Sequence, residues 1–185
     1  MPMMNRATAQ NVLGSYDMLV EGPDSYSNSA LFFGAADGFT FNIANVSGES
    51  TICFWIKDLV ADTTVWDFDG RIISMRPAGG VFELRINSGL NILDVPLGWS
   101  NDDWMFIAIN FLGDMVRIYR YDEDMGLHHL NFGIYGGDST LMNASIGALF
   151  DPRILPRRVS EDALVNYYES VTVDKADTGY LPIMR

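Results

Sequence analysis

Residues 99–121, WSNDDWMFIAINFLGDMVRIYRY, decide how this 185-residue chain folds. From Trp104 to Phe111 apolar side chains fill both phases of the run, as expected of a central strand covered on both faces. The stretch Leu112-Gly113-Asp114 interrupts it, and glycine takes the backbone of a tight turn at little cost. A second run follows over 115–121, so the stretch reads as two strands joined by a turn.

Working outward, similar short runs rich in Phe, Ile, Val, Trp and Tyr recur at 29–33, 38–43, 50–57, 65–68, 71–75, 81–87, 90–94, 127–135 and 145–154. Gly, Asn and Asp supply the breaks at 78–80, 87–89 and 136–138. Phe82, Leu84 and Ile86 alternate with Glu83 and Arg85, so that strand has one wet face, whereas 51–56 is apolar on both phases like 104–111. Pro152 and Pro156 place the run over 145–154 at a sheet edge or end it early. The spacing predicts one helix, over 160–169, with Ser160 as N-cap, Glu161 and Asp162 in its first turn, and Leu164, Val165 and Tyr168 on one face. The expected fold is all-β, a two-sheet antiparallel β-sandwich with one short C-terminal helix.

Composition narrows the partners. Lys and Arg total 12 against 24 Asp and Glu, a formal charge of -12 that repels phosphate backbones, so nucleic acid is excluded. No run of about 18 apolar residues crosses a membrane, and the first 19 residues hold no apolar stretch of signal-peptide length. The chain is therefore expected in the cytoplasm on synthesis, and the sequons at Asn45 and Asn143 carry no weight. Cys53, the one cysteine, sits between Ile52 and Phe54 and reads as a buried small hydrophobe. Residues 1–28 and 171–185 lack periodicity and read as arms flanking a domain at 29–170. Met3, Met4, Leu13, Met18, Leu19, Tyr180, Leu181, Ile183 and Met184 are their apolar anchors, for neighbouring subunits to bury, or for the chain's own sandwich if an arm adds an edge strand.

The order of four pieces, SALFFGAADGFTF, STICFWIKD, the stretch at 99–121 and IGALFDPRILPRRVSEDALVNYYES, resembles the laminin-G-like jelly roll of the concanavalin A-like lectin and glucanase superfamily. The resemblance covers about residues 29–170 and implies a jelly-roll sandwich. It leaves function open, because such sandwiches serve as lectins, adhesion modules, hydrolases and virion parts. The first expectation is a non-catalytic structural, assembly or adhesion module, such as a virion decoration or tail-fibre protein, forming a homo-oligomer or larger assembly with other protein subunits. The alternative is a carbohydrate-binding lectin with a glycan partner. A glycoside hydrolase is disfavoured, because the Glu-x-Asp-x-Glu run of the resembled glucanases is missing. Asp67 with Asp69, and Asp122, Glu123 and Asp124, lie outside the alternating strand context that would aim two carboxylates at one bond.

Candidate ligand-binding residues are Trp66, Trp99 and Tyr135, in or beside loops where a ring could stack on a sugar, with core packing as the competing reading. The resemblance implies calcium held by Asp37 and Asp151, although Pro152 stands where relatives carry a second acidic residue. His128 and His129 are adjacent and point to opposite faces of a strand, so a hairpin tip is expected there and not a joint metal site. Arg153, Arg157 and Arg158 read as a solvated edge or an interface contact.

Overall fold

Strands that are apolar on both phases need cover on both sides, and the structure pairs the two runs of that kind, 51–56 and 104–111, as neighbours in one sheet. The computed structural model describes residues 8–10, 17–21, 25–27, 30–33, 38–101, 103–142 and 145–171. In chain order the strands are β1 (Thr8–Gln10), β2 (Asp17–Glu21), β3 (Ser25–Ser27), β4 (Ala30–Phe33), β5 (Gly38–Val46), β6 (Ser50–Lys57), β7 (Thr63–Phe68) and β8 (Arg71–Ala78). They continue with β9 (Val81–Asn87), β10 (Ile92–Trp99), β11 (Met105–Leu112), β12 (Met115–Arg120), β13 (Glu123–His129), β14 (Tyr135–Leu141) and β15 (Gly147–Leu155), followed by helix α1 (Glu161–Val171).

Two antiparallel sheets result. One has the order β1-β2-β5-β14-β7-β8-β9-β10 and the other β13-β12-β11-β6-β15-β4-β3. In the second, β11 lies between β12 and β6, with Ala108 opposite Cys53 and Phe106 opposite Trp55. Ile52, Phe54, Ile107, Ile109, Val116 and Ile118 face inward and meet Trp66, Phe68, Ile73, Leu84 and Ile86 of the first sheet. Arg120 closes one flank by donating to the Leu97 carbonyl across the two sheets and to Glu123 on its own hairpin.

The other face of β6 and β11 is covered by α1. Cys53, Trp55, Trp104, Phe106, Ala108, Tyr119, Ala148 and Phe150 form a second apolar cluster with Leu164, against which Val159, Tyr167 and Tyr168 pack. Ser160 caps the helix, its Oγ accepting from Ala163 N at 3.3 Å. The segment leading into it is tied to the sheet, since Val159 N donates to Thr51 Oγ1 and Asn110 Nδ2 donates to Val159 O, both at 3.0 Å.

Four details correct the sequence reading. The run over 127–135 is not one strand: β13 stops at His129 and β14 starts at Tyr135. The glycines at 136 and 137, read as a break, lie inside β14, opposite a bulge in β5: the register passes from Tyr135 opposite Val46 to Gly137 opposite Ile43, so Ala44 and Asn45 together face Gly136. A Cβ at 136 would come within 2.9 Å of the Asn45 backbone, and the φ of 151° there suits glycine alone. Next, β15 is an interior strand between β6 and β4, and Pro152 is tolerated because the register shifts between Phe150 and Arg153, a bulge that spares the missing N–H. His128 and His129, for their part, end the edge strand β13 and do not lie at a hairpin tip.

The N-terminal 28 residues supply β2 beside β5, β1 beside β2, and β3 beside β4, so this stretch adds strands to the chain's own sheets. Residues 172–185, the rest of the expected C-terminal arm, lie outside the described residues.

Candidate binding site

At one end of the sandwich three connections meet. Gly48 turns β5 into β6 at a φ of 77°, and Gly113-Asp114 is the two-residue link between β11 and β12, with Gly113 at 73°. The third connection, 130–134, crosses from one sheet to the other. Along it Leu130 and Phe132 are buried and plug the end of the core, while Asn131, Gly133 and Ile134 are exposed. Leu130 N donates to Asp114 O at 2.9 Å, which locks this crossing loop to the β11–β12 turn.

A recess of about 300 Å³ lies between the three connections, lined by Gly48, Phe111, Gly113, Asp114, Asn131, Phe132, Gly133 and Ile134. Each of the three connections contributes a glycine to its lining. Its floor is rigid: the rings of Phe111 and Phe132 stack with centroids 4.5 Å apart, and Tyr135 packs behind both. Its polar groups are the exposed Asp114 carboxylate, which His129 Nε2 approaches at 3.7 Å, and the Asn131 amide. Arg71 stands beside it, donating from Nε to the Phe132 carbonyl at 2.8 Å. An apolar floor with a few fixed polar groups is the composition of a small-ligand pocket, and the volume lies at the lower end of the usual range of about 300–1,000 Å³.

The aromatic residues singled out in the sequence are core residues, which corrects the reading of them as stacking platforms. Trp66 is 1% exposed and stacks on Phe68 with centroids 5.4 Å apart. Trp99 is 5% exposed, packs against Phe82 and donates from Nε1 to Asp103 O. Tyr135 is 3% exposed and donates to Ser50 Oγ at 3.1 Å. None offers a ring face to a ligand, although Tyr135 supports the recess from behind. The recess residues themselves escaped the sequence reading because they belong to three separate connections. The readable signal was a glycine in each, with Asp114 and Asn131 beside two of them.

The calcium reading does not fit what is seen of its ligands. Asp151 lies in the β15 bulge at a φ of 45°, and its Oδ2 accepts from Arg153 Nε and Nη2, each at 2.8 Å, and from the Tyr167 hydroxyl at 2.5 Å. Asp37 lies outside the described residues. Among the described residues no group of three or more His, Cys, Asp or Glu is placed to hold a metal ion. Burial of Tyr167 and the adjacent Asp151 carboxylate push its phenol well above the ordinary range, and burial pushes the Cys53 thiol up to about 12, so both stay protonated.

The other carboxylates serve turns and ion pairs. Asp67 Oδ1 accepts from Gly70 N at 2.8 Å, and Asp124 Oδ1 accepts from Gly126 N at 2.9 Å while Oδ2 lies 3.8 Å from Arg117. Arg153 is held by Asp151 and lies over the Tyr167 ring at 5.1 Å, whereas Arg157 and Arg158 are exposed. No helix among the described residues is long and apolar enough to cross a membrane.

The molecule is thus an antiparallel β-sandwich with a glycine-lined recess at one end. Solved structures share that fold. The chain is similar to the receptor-binding domain of botulinum neurotoxin mosaic serotype C/D, at a TM-score of 0.68 and 13% identity over 89% of this chain and 50% of that one. It is also similar to the serotype D ligand-binding domain in complex with N-acetylneuraminic acid, at a TM-score of 0.64 and 14% identity over 87% of this chain and 51% of that one. The chain spans about half the length of these structures. No protein-family model matches the sequence, and no curated protein matches it.

Proposed function

We propose that the chain is a non-catalytic recognition module that binds a glycan at the loop-end recess. The observation that carries this reading is the recess itself, with the Phe111–Phe132 floor fixed by stacking and the Asp114 carboxylate and Asn131 amide beside it. A sugar offers hydroxyls to such polar groups and an apolar ring face to such a floor. Likeness to receptor-binding domains, one of them solved with a sialic acid, supports the same direction, and so does the resemblance to laminin-G-like jelly rolls over residues 29–170.

A glycan array followed by titration of the best ligand tests this. Asp114→Ala and Asn131→Ala should each weaken binding about tenfold or more with unchanged melting, since each removes a hydrogen-bond partner of the ligand. Binding that survives both substitutions would move the site elsewhere on the sandwich.

A second reading, an assembly subunit such as a virion component, has its own support. Leu90, 93% exposed, and Ile92, 58% exposed, project from the β9–β10 hairpin at the border of a sheet, where a neighbouring subunit would cover them. Mass photometry of the purified chain decides it: a homo-oligomer that dissociates on Leu90→Asp supports assembly, and a monomer at micromolar concentration argues against it.

A further inference from the structure

The geometry points to a carboxylated sugar as the ligand of the recess, with Arg71 as the group that receives the carboxylate. This inference rests on the glycan reading above and narrows it. In a chain with 24 acidic and 12 basic residues, cations readily find carboxylate partners. Arg76, Arg85, Arg117, Arg120 and Arg153 each lie within 4.0 Å of one. Arg71 has no such partner among the described residues, and neither have Lys57, Arg157 and Arg158; Arg71 differs from them in standing beside the recess. It is half-buried at the start of β8, on the same phase as the inward-facing Ile73 and Met75, so its side chain is directed at the end of the core that the crossing loop closes.

Its hold on that loop orients it. The Nε–H donates to Phe132 O at 2.8 Å, which uses one edge of the guanidinium and leaves both Nη groups without a protein acceptor among the described residues. Gly133, a wall of the recess, lies directly against it: a Cβ at 133 would stand 3.5 Å from Arg71 Nη2 and 3.8 Å from Nε. Gly133 thus packs against the guanidinium, where a longer side chain would press on it. A half-buried, pre-oriented arginine with free N–H groups binds a carboxylate in a forked, charge-assisted arrangement, with less solvent screening than an exposed cation. The Asp114 carboxylate excludes a ligand that is anionic throughout, and it suits one that presents hydroxyls at one end and a single carboxylate at the other. Uronic acids and sialic acids have that distribution.

Titration of the full chain with the methyl α-glycoside of N-acetylneuraminic acid and with its methyl ester is the test, with methyl β-glucuronide and its ester as a second pair. Each pair differs only in the charge of the carboxylate. The acid should bind at least tenfold more tightly than the ester, and the ratio should shrink as salt rises. Arg71→Gln should bring the ratio close to one, while Arg71→Lys should keep part of it. Because the acid-to-ester ratio is read on the unaltered chain, it decides the matter even if Arg71→Gln fails to fold. Equal binding of acid and ester, both lost on Asp114→Ala, would overturn the role of Arg71 and leave the glycan site standing. No binding of either pair, nor of lactose or N-acetylglucosamine, would overturn both.

Discussion

On the outer side of the seven-stranded sheet, Trp55, Phe106 and Phe150 lie beneath α1, with the Trp55 ring stacked on Tyr168 at 5.7 Å and 24°. The corresponding side of the eight-stranded sheet carries Thr40, Asn42, Asp67, Ser74, Arg76, Glu83, Arg85, Asp94, Asp138 and Thr140, and no helix among the described residues packs on it. The two sheets share one core and differ in the outward phase of their strands. In β6 and β11 that phase is aromatic or small, so leaving it in water would forgo burial of about 25 cal/mol per Å² of apolar surface. In β8, β9 and β10 it is mostly polar, with Ile72, Ile92 and Pro96 among its apolar members, and carries no aromatic ring. A short helix near the C-terminus follows from the first pattern, because something must lie across those rings.

The strongest way to break this comparison is to remove the ring on which the third layer rests. Trp55→Ala should cost about 3–5 kcal/mol, as large aromatic truncations in a filled core do. The urea midpoint measures it, and a cycle with Tyr168→Ala should show coupling of about 0.5–1.5 kcal/mol between the two rings. A loss well below 1 kcal/mol for Trp55→Ala would mean that α1 does not form a layer.

The polar tie beneath the helix sharpens the same contrast. Tyr167 donates to an Asp151 carboxylate that Arg153 already holds, so Tyr167→Phe removes one charge-assisted hydrogen bond and orphans no charge. The expected cost is about 1.5 kcal/mol, at the low end for hydrogen bonds to charged groups, again read from the urea midpoint. If the loss matched that of Trp55→Ala, the tie and not the rings would hold the helix.

Cys53 tests burial on that face through pH. Its thiol is raised from 9.0 to about 12 in the folded chain, chiefly by desolvation and then by the Asp151 charge. The folded state therefore keeps a proton that the unfolded chain releases above about pH 9, so its contribution is intact below that pH and is lost as pH rises toward 12. Stability should fall by about 1.4 kcal/mol per pH unit above roughly 9 from this group. Tyr167 adds to the fall at higher pH, since its phenol is also raised by burial. Unfolding in urea at pH 8, 9 and 10 should show a steeper decline for the natural chain than for Cys53→Ala. Parallel declines would place the thiol in contact with water.

How much of this was legible follows from the same distinction. The interior strands could be read, because β6 and β9 occupy the runs 50–57 and 81–87 that their side-chain phases mark out. The helix was readable from Ser160 and the acidic first turn. Residues whose role depends on distant partners could not be read. Gly136 and Gly137 signal a turn by type, and only the approach of the bulged Ala44 and Asn45 of β5 shows why a strand carries glycine there. Pro152 signals an edge until Asp151 is seen at positive φ in a bulged interior strand. Trp66 and Tyr135 lie beside turns in sequence and point inward in space, while the recess gathers residues from positions 48, 113–114 and 131–134.

The smallest expected effect lies on the open face. Arg85 grips Asp94 across the β9–β10 pair through two hydrogen bonds, 2.7 and 2.8 Å, and the hydrogen bond is the main reason that the Asp94 carboxyl lies below its usual range. A depressed carboxyl contributes stability at neutral pH and loses it as the solution becomes acidic. Yet about a third of each side chain remains in contact with solvent, at 30% and 36%. At 0.15 M salt, charges in water are screened within about 8 Å, and exposed pairs rarely offset the entropy of holding two side chains together. Arg85→Ala should accordingly leave the urea midpoint unchanged within experimental scatter at pH 7, and raising the salt to 1 M should not separate the two proteins. A loss comparable to that of Tyr167→Phe would show that water does not reach this pair in solution, which requires another subunit to cover the eight-stranded sheet. The comparison between a covered and an open face would then become one between two covered faces, the second closed by assembly.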